Sequence, residues 1–343
     1  MHINKALTFR ASSIGDCLMG KYVLDNIHAR YPDARLGIVV GSRGAMIRDL
    51  FAAYPWLEVI EANRQDPRSL FRLWKNFLGS DLVVTQYAGK PSTKSDLVLG
   101  KPGGRFSFAS KLAARVLAKR GGLIGFTDAS PWNTFLYDQL LPVRSDMAVV
   151  EHDRAALRAV GIPITLPFPT LKCVEGPKVL SKFVLEEGKY IVVHLFAGNT
   201  SRGLHPDKKH ELLVALARKL PDIHLVVSGG TSDREEALCV ARDIPATVIA
   251  GEMTLQEMIH LIKHSRGVVS VDTGMAHITA QLRTPLVVLR TCVGRAWWLP
   301  GQYRDDAPIT VFSCDSVCEN GHLAKAYPAC MDAIDMEEVV NKL

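Results

Sequence analysis

The chain has 343 residues, of which 48% are hydrophobic and 22% charged, and its net charge is +6. That length builds two α/β domains, and the composition is that of an ordinary soluble globular protein, which excludes disordered, collagen-like and disulfide-stapled classes. No run of eighteen apolar residues occurs, so no transmembrane helix is expected.

The amino terminus enters a strand at once, Ala6–Phe9, without the order of a signal peptide, and the expected location is cytoplasmic. The turn after it reads Phe9-Arg-Ala-Ser-Ser-Ile-Gly-Asp16 and opens a helix over Cys17–Arg30. Ser12 and Ser13 can cap that helix, Gly15 permits a close approach, and Asp16 falls in its first turn. Two readings stand for Asp16: a charge that complements the helix dipole, or a carboxylate at a cleft mouth. Further strands are expected at Leu36–Val40, Leu57–Ile60, Leu82–Thr85 and Leu123–Gly125.

Residues 1–150 hold 20 Lys/Arg against 12 Asp/Glu, whereas residues 151–343 hold 21 against 23. A basic half attracts an acidic acceptor, an anionic membrane or nucleic acid. No helix-turn-helix, zinc-finger or RNA-binding signature is present, so nucleic acid is not expected as a partner. Within the basic half, Lys90, Lys94, Lys101 and Arg105 lie in a Gly/Pro/Ser-rich stretch that reads as an acceptor loop. The helix expected over Ser107–Arg120 repeats Lys111, Arg115 and Lys119 every fourth residue, with Phe108, Leu112 and Val116 in an adjacent stripe. Its basic face is a candidate to rest on an anionic membrane or grip acceptor phosphates; the alternative is a solvated face over a core stripe.

Gly161-Ile-Pro-Ile-Thr-Leu-Pro-Phe-Pro169 and then Gly176-Pro177 interrupt the alternation. They predict an interdomain linker, with domains at 1–165 and 189–343 and a linker at 166–188. The last helix is a candidate to pack back on the first domain. Alternation resumes with strands at Tyr190–Leu195, Ile223–Ser228, Thr247–Ala250, Gly267–Val271 and Leu286–Leu289. After the first of these comes Ala197-Gly-Asn-Thr-Ser-Arg202, whose small polar residues and one cation suit phosphate. Ser228-Gly-Gly-Thr231 closes another strand, either as a nucleotide contact or as a plain turn with a Thr cap.

The strongest signal is Ser270-Val-Asp-Thr-Gly-Met-Ala-His277, where a buried strand ends and a helix begins. In an open α/β sheet ligands bind at that end of the strands, and a helix N-terminus favours anionic oxygens. Asp272-Thr-Gly is equally a simple helix cap when read alone. Seven scattered cysteines predict reduced thiols. Cys314, Cys318, His322 and Cys330 match no standard zinc spacing, and whether they bind a metal stays open.

Taken together, Ser12-Ser-Ile-Gly-Asp16 and Asp272-Thr-Gly-Met-Ala-His277 resemble glycosyltransferase family nine, the ADP-heptose:lipopolysaccharide heptosyltransferases. Arg30-Tyr-Pro-Asp33, Leu255–His264, Thr284–Leu289 and Cys330–Ile334 extend the resemblance over nearly the whole chain. It implies a GT-B fold: two Rossmann-like, doubly wound α/β domains facing a central cleft. It implies inverting transfer of a sugar from a nucleotide diphosphate, with no metal and no cofactor beyond the donor substrate. The expected partners are a sugar nucleotide, ADP-heptose above others, and a lipopolysaccharide core or similar lipid-linked acceptor. Peripheral contact with the cytoplasmic face of the inner membrane is a further expectation.

By resemblance, Asp16 is the catalytic base, and Ser13, Gly15, Lys94 and Arg105 serve the acceptor. Asn199, Thr200, Ser201, Arg202, Asp272, Thr273, Gly274 and His277 bind the donor. The family's Lys near position 203 is replaced here by Gly203, with Arg202 beside it and Lys208 or Lys209 in reserve. A Gly-Pro-Thr-like segment of the family is replaced by Arg290–Pro300, which holds Trp297 and Trp298. The rival readings are a sugar-nucleotide 2-epimerase on the same scaffold and a sugar-nucleotide binder without transferase activity.

Overall fold

The computed structural model describes residues 2–10, 13–41, 43–62, 66–86, 108–127, 133–144, 146–174, 178–291, 294–313 and 327–343. Lys94, Arg105, Ser12, Cys314, Cys318 and His322 lie outside them. The chain divides into two compact units, residues 1–169 with 299–302, and residues 170–298 with 303–343.

The first unit is a parallel sheet of β1 (Lys5–Phe9), β2 (Arg35–Val40), β3 (Leu57–Glu61), β4 (Leu82–Val84), β5 (Leu123–Phe126) and β6 (Gln139–Leu141). Its order is β3-β2-β1-β4-β5-β6. The described helices are α1 (Ile14–Arg30), α2 (Gly44–Leu50), α3 (Pro67–Phe77), α4 (Phe108–Leu117), α5 (Asn133–Leu136) and α6 (Val149–Ala159). Strands buried on both faces read as continuous apolar runs, and Leu36-Gly-Ile-Val-Val40 is buried throughout for that reason.

The second unit repeats the plan. Its strands are β7 (Tyr190–His194), β8 (His224–Val227), β9 (Ala246–Val248), β10 (Gly267–Val271), β11 (Leu286–Arg290) and β12 (Ile309–Ser313). They lie in the order β12-β11-β10-β7-β8-β9, all parallel. Its described helices are α7 (Val179–Lys182), α8 (Pro206–Lys219), α9 (Arg234–Val240), α10 (Leu255–Lys263), α11 (Gly274–Leu282), α12 (Ala329–Asp332) and α13 (Met336–Val340). The last helix, α13, lies against α8 within this unit, with Val339 and Val340 in its core.

Both sheets therefore have the strand order of a Rossmann fold. The order reverses between β1 and β4, and again between β7 and β10, and the carboxyl ends of those strands are the places where such sheets bind ligands. Sequence reading found five strands in each half and missed β6 and β12. Both are edge strands whose residues are only half-buried, so neither carries a continuous apolar run.

Asp81 closes the amino-terminal end of the first sheet. Its Oδ2 accepts the backbone N–H groups of Asn4 (2.8 Å) and Lys5 (3.0 Å), and its Oδ1 meets Lys119 Nζ at 2.5 Å. The basic face expected on α4 is engaged by polar partners of the same unit rather than left unpaired. Lys111 is buried and donates to Asn133 Oδ1 at 2.6 Å, while Arg115 pairs with Asp138 at 2.7 Å. The stripe of Phe108, Leu112 and Val116 is the exposed one. The alternation of faces was legible; which face the sheet would claim was set by carboxylates and an amide remote in sequence.

Candidate functional site

In the second unit, β10 is buried at every residue and pairs with β7 so that Ser270 stands beside His194. It delivers Asp272, Thr273 and Gly274 to the start of α11. Thr273 is the N-cap, in extended conformation, but its side chain makes no capping hydrogen bond. Its hydroxyl lies 3.4 Å from Ser270 Oγ instead. The first amides of α11 thus lack the side-chain acceptor that the simple-cap reading requires, and remain donors for an anion.

Asp272 is 4% exposed, and its Oδ1 accepts the indole N–H of Trp298 at 3.0 Å. Its Oδ2 and the hydroxyl of Ser201 are buried without a hydrogen-bond partner among the described residues. Such orphaned oxygens mark a place where a ligand hydroxyl can donate. Gly294 presses on the same carboxylate: it sits at φ +81°, and a Cβ there would fall 2.7 Å from Oδ2. A glycine is needed at this point for both its left-handed conformation and its missing side chain.

His277 lies one turn along α11 and is also buried. Its Nδ1 shares a hydrogen bond with the Tyr303 hydroxyl at 2.8 Å, and its ring stacks on Trp298 at 5.0 Å and 8°. Trp297 tilts against it at 4.7 Å. His277 Nε2 is 3.7 Å from Asp272 Oδ1, the distance of a weak ion pair. Burial first, and then the charge of Arg202, push the imidazole down to about 3. The ring is therefore neutral at pH 7, and the pair is a dipolar contact rather than a salt bridge. Burial also raises the Asp272 carboxyl, against the pull of Arg202, Trp298 and Arg290.

Arg202 comes from the short 3-10 turn Thr200–Arg202 after β7. Asn199 shapes that turn, its Oδ1 accepting the N–H of Ser201 at 3.0 Å. The charge of Arg202, itself exposed, acts on both Asp272 and His277. The reserve cations are occupied: Lys208 pairs with Glu211, and Lys209 is buried on Glu236 at 2.7 Å over the Phe196 ring. A Cβ at Gly203 would meet only ordinary contacts, the nearest Thr200 O at 3.5 Å.

Farther along the sheet, His194 and Ser228 join the ends of β7 and β8 by a 3.0 Å hydrogen bond, and burial lowers His194 to about 4. At Ser228-Gly-Gly-Thr231 the cap is not Thr231. Gly230 N–H donates to Asp233 Oδ2 at 2.8 Å.

The first unit has its own cluster at its switch point. Ser13 caps α1: its Oγ accepts the N–H of Asp16 at 3.0 Å and its hydroxyl donates to Asp16 Oδ2 at 2.8 Å. Gln86, just after β4, donates to the same Oδ2 at 3.1 Å. Asp16 is half-buried and Gly15 buried. Beneath them Arg10 is 3% exposed, bonded to the carbonyls of Phe9 and Thr85 and to Asp153 Oδ1 at 2.5 Å. Gly20 gives it room, since a Cβ there would sit 2.5 Å from Arg10 Cγ. Burial pushes the Asp153 carboxyl up to about 6, with Arg10 opposing and Asp16 adding to the rise. Burial and the Asp16 charge push the Cys17 thiol up to about 12, so it is no nucleophile.

Sequence reading missed Arg10, Gln86, Asp153, Gly294 and Tyr303. Arg10 lay inside the quoted turn and Gly294 inside the segment Arg290–Pro300; the others had no local pattern to announce them. Trp297 and Trp298, in the segment Arg290–Pro300 that departs from the family, cover His277. Among the described residues no group of three or more His, Cys, Asp or Glu is arranged to hold a metal. Cys330 is buried in the second unit's core.

Comparison with known proteins adds to this geometry. The model of the family "Glycosyltransferase family 9 (heptosyltransferase)" matches residues 107–291. Lipopolysaccharide heptosyltransferase 3 of Escherichia coli is 32% identical over 81 residues, a match spanning 22% of this chain and about a quarter (24%) of that protein. Among solved structures, the ADP-heptose LPS heptosyltransferase II of Escherichia coli superposes with a TM-score of 0.70 at 20% identity, covering 98% of this chain and 97% of that one. A family 9 glycosyl transferase of Veillonella parvula superposes with a TM-score of 0.74 at 14% identity, covering 100% and 97%. The Escherichia coli heptosyltransferase WaaC, solved with ADP, gives 0.65 at 18%, covering 90% and 93%. The fold of these structures, GT-B with two Rossmann-like units, is the fold found here.

Proposed function

The chain belongs to glycosyltransferase family 9, the heptosyltransferase family, and on that premise we propose that it is an inverting, metal-independent glycosyltransferase. It moves a sugar, heptose from ADP-heptose, onto a lipopolysaccharide core or a similar lipid-linked saccharide. The observation that carries the donor half is the buried Asp272, with one oxygen unmatched and His277 beside it, at the uncapped start of α11.

The diphosphate sits at the α11 amides, where the helix terminus and Arg202 take up the charge that develops as the bond to the anomeric carbon breaks. Asp272, an acceptor with one oxygen unmatched, takes a sugar hydroxyl rather than phosphate. Neutral His277 adds no charge and braces the wall with Trp298. In the acceptor half, Asp16 takes the proton of the attacking hydroxyl, and the oxygen attacks the anomeric carbon opposite the leaving diphosphate. Ser13 and Gln86 hold the carboxylate in one rotamer by donating to its Oδ2. Lys94 and Arg105 remain proposed acceptor contacts by family resemblance.

The family match favours transfer over 2-epimerisation. The reading of a binder without activity rests on Gly203, where the family's Lys is missing. Thermal-shift titration with ADP, UDP, GDP and CMP, followed by turnover with ADP-heptose and a heptose-deficient core saccharide, tests the proposal. Stabilisation by ADP above the others, with product formed, is the expected result. Preference for UDP or GDP removes heptose as the donor sugar, and ADP binding without turnover favours the binder.

A further inference from the structure

Helices α3 and α4 lie on one face of the first sheet. Their inner residues Leu73, Phe77, Ala114 and Leu117 share one buried cluster. An amphipathic helix of this kind ordinarily turns polar residues to water. These two turn apolar ones outward as well: Phe71 is 59% exposed, Trp74 50%, Phe108 51% and Val116 55%. Leu70, Leu78 and Leu112 extend the same stripes, and Phe135 on α5, which packs beside α4, is exposed too. The remaining large apolar side chains exposed among the described residues, Leu166, Val184, Val214 and Leu238, are far apart along the chain. Scattered exposure is ordinary, whereas a concentration on two neighbouring helices marks an interface.

The border of this surface is positive. Arg68, Arg72 and Lys75 are exposed on α3, and neither α3 nor α4 contains an acidic residue. Beside α3, Arg35, Arg48 and Arg72 line a shallow depression, where the carboxylate of Glu58 is held by Arg35 at 2.9 Å. Asp81 and Asp138, near α4, are paired with Lys119 and Arg115. Asp66, exposed, caps the start of α3. Apolar stripes with a surplus of cations at their edge complement an anionic bilayer: aromatic side chains enter the acyl boundary while guanidinium and ammonium groups meet lipid phosphates.

We infer that the outer face of α3 and α4 docks on an anionic lipid bilayer. The biological use of this docking rests on the proposed lipid-linked acceptor, because it would hold the enzyme where that substrate is anchored. The contact differs from the one expected from the sequence: the apolar stripe enters the membrane, while Lys111 is buried and Arg115 and Lys119 are paired with Asp138 and Asp81.

The test is flotation of the full chain with vesicles of phosphatidylglycerol and phosphatidylethanolamine, against vesicles of phosphatidylcholine. The parent is expected to float with the anionic vesicles. The double variant Phe71→Ser/Trp74→Ser is expected to lose about tenfold in vesicle affinity. Its melting temperature and its turnover on a delipidated, water-soluble acceptor should match the parent, and Leu238→Ser should float as the parent does. Absence of parental flotation, or equal flotation of the double variant, overturns the inference. So does a concentration-dependent dimer, seen by sedimentation, that the double variant abolishes while vesicle binding persists; that result assigns the face to a second copy of the chain. Flotation that depends on Phe71 and Trp74, in a protein that transfers no sugar, leaves the docking face standing and removes the transferase reading instead.

Discussion

The two switch points of this chain occupy the same place in the same topology and have opposite chemistry. At the end of β1, a half-exposed carboxylate, Asp16, accepts from Ser13 and Gln86, above a buried Arg10–Asp153 pair. At the end of β10, the carboxylate of Asp272 is buried beside a neutral imidazole and two indoles, with the cation Arg202 at the margin. Strand order decides where a site is; the side chains one turn beyond each strand decide whether it takes protons or holds charge.

The largest break in that comparison is expected from Asp16→Asn. The amide keeps the shape but accepts no proton, so kcat should fall by roughly a thousandfold while donor affinity stays near the parent's. Steady-state kinetics with ADP-heptose, alongside calorimetric donor binding, measure both; an unchanged kcat removes Asp16 as the base. Arg202→Ala acts on the other site and should cost on the order of a hundredfold in kcat/KM, since one stabilising donor to a leaving group is lost. Adding Gly203→Lys to Arg202→Ala should recover part of that loss, because a Cβ fits at Gly203 without a clash. If the single Arg202 variant turns over normally, the diphosphate lies elsewhere.

The smallest effect sharpens the neutral character of the second site. Burial holds His194 at about 4 and His277 at about 3, both below the ordinary 6.5. Between those values and 6.5 the unfolded chain binds more protons than the folded one, so stability rises with pH across the window and is lost on acidification. Melting temperature should therefore drop as pH falls from about 7 toward about 4.5, and His194→Asn should make that slope shallower. An identical slope in the variant would mean that His194 is not held neutral as described.

Local signals carried much of this site to the page before the structure did. Asp272-Thr-Gly-Met-Ala-His277 was legible because strand, turn and helix follow one another within a dozen residues. Arg202 was legible for the same reason, as the cation of a turn after an apolar run. The Arg10–Asp153 pair was not, because its partners are 143 residues apart and neither has a periodic neighbour. Gly294 reads as one more glycine until Asp272 Oδ2 is found against it. Lys111 shows the general limit: spacing reveals that residues share a face, but only a tertiary partner, here Asn133, says whether that face looks in or out.

Asp81 has a consequence for the order of assembly. One carboxylate gathers Asn4, Lys5 and Lys119, so the β4 side of β1 is completed only once Leu82–Val84 has been made, although β2 can already pair its other side. Non-local parallel pairing of this kind pays its loop-closure entropy before any contact rewards it. During synthesis β1, with β2 on one side, thus keeps its other edge open until β4 emerges, and chaperone capture of nascent chains should be densest in that interval.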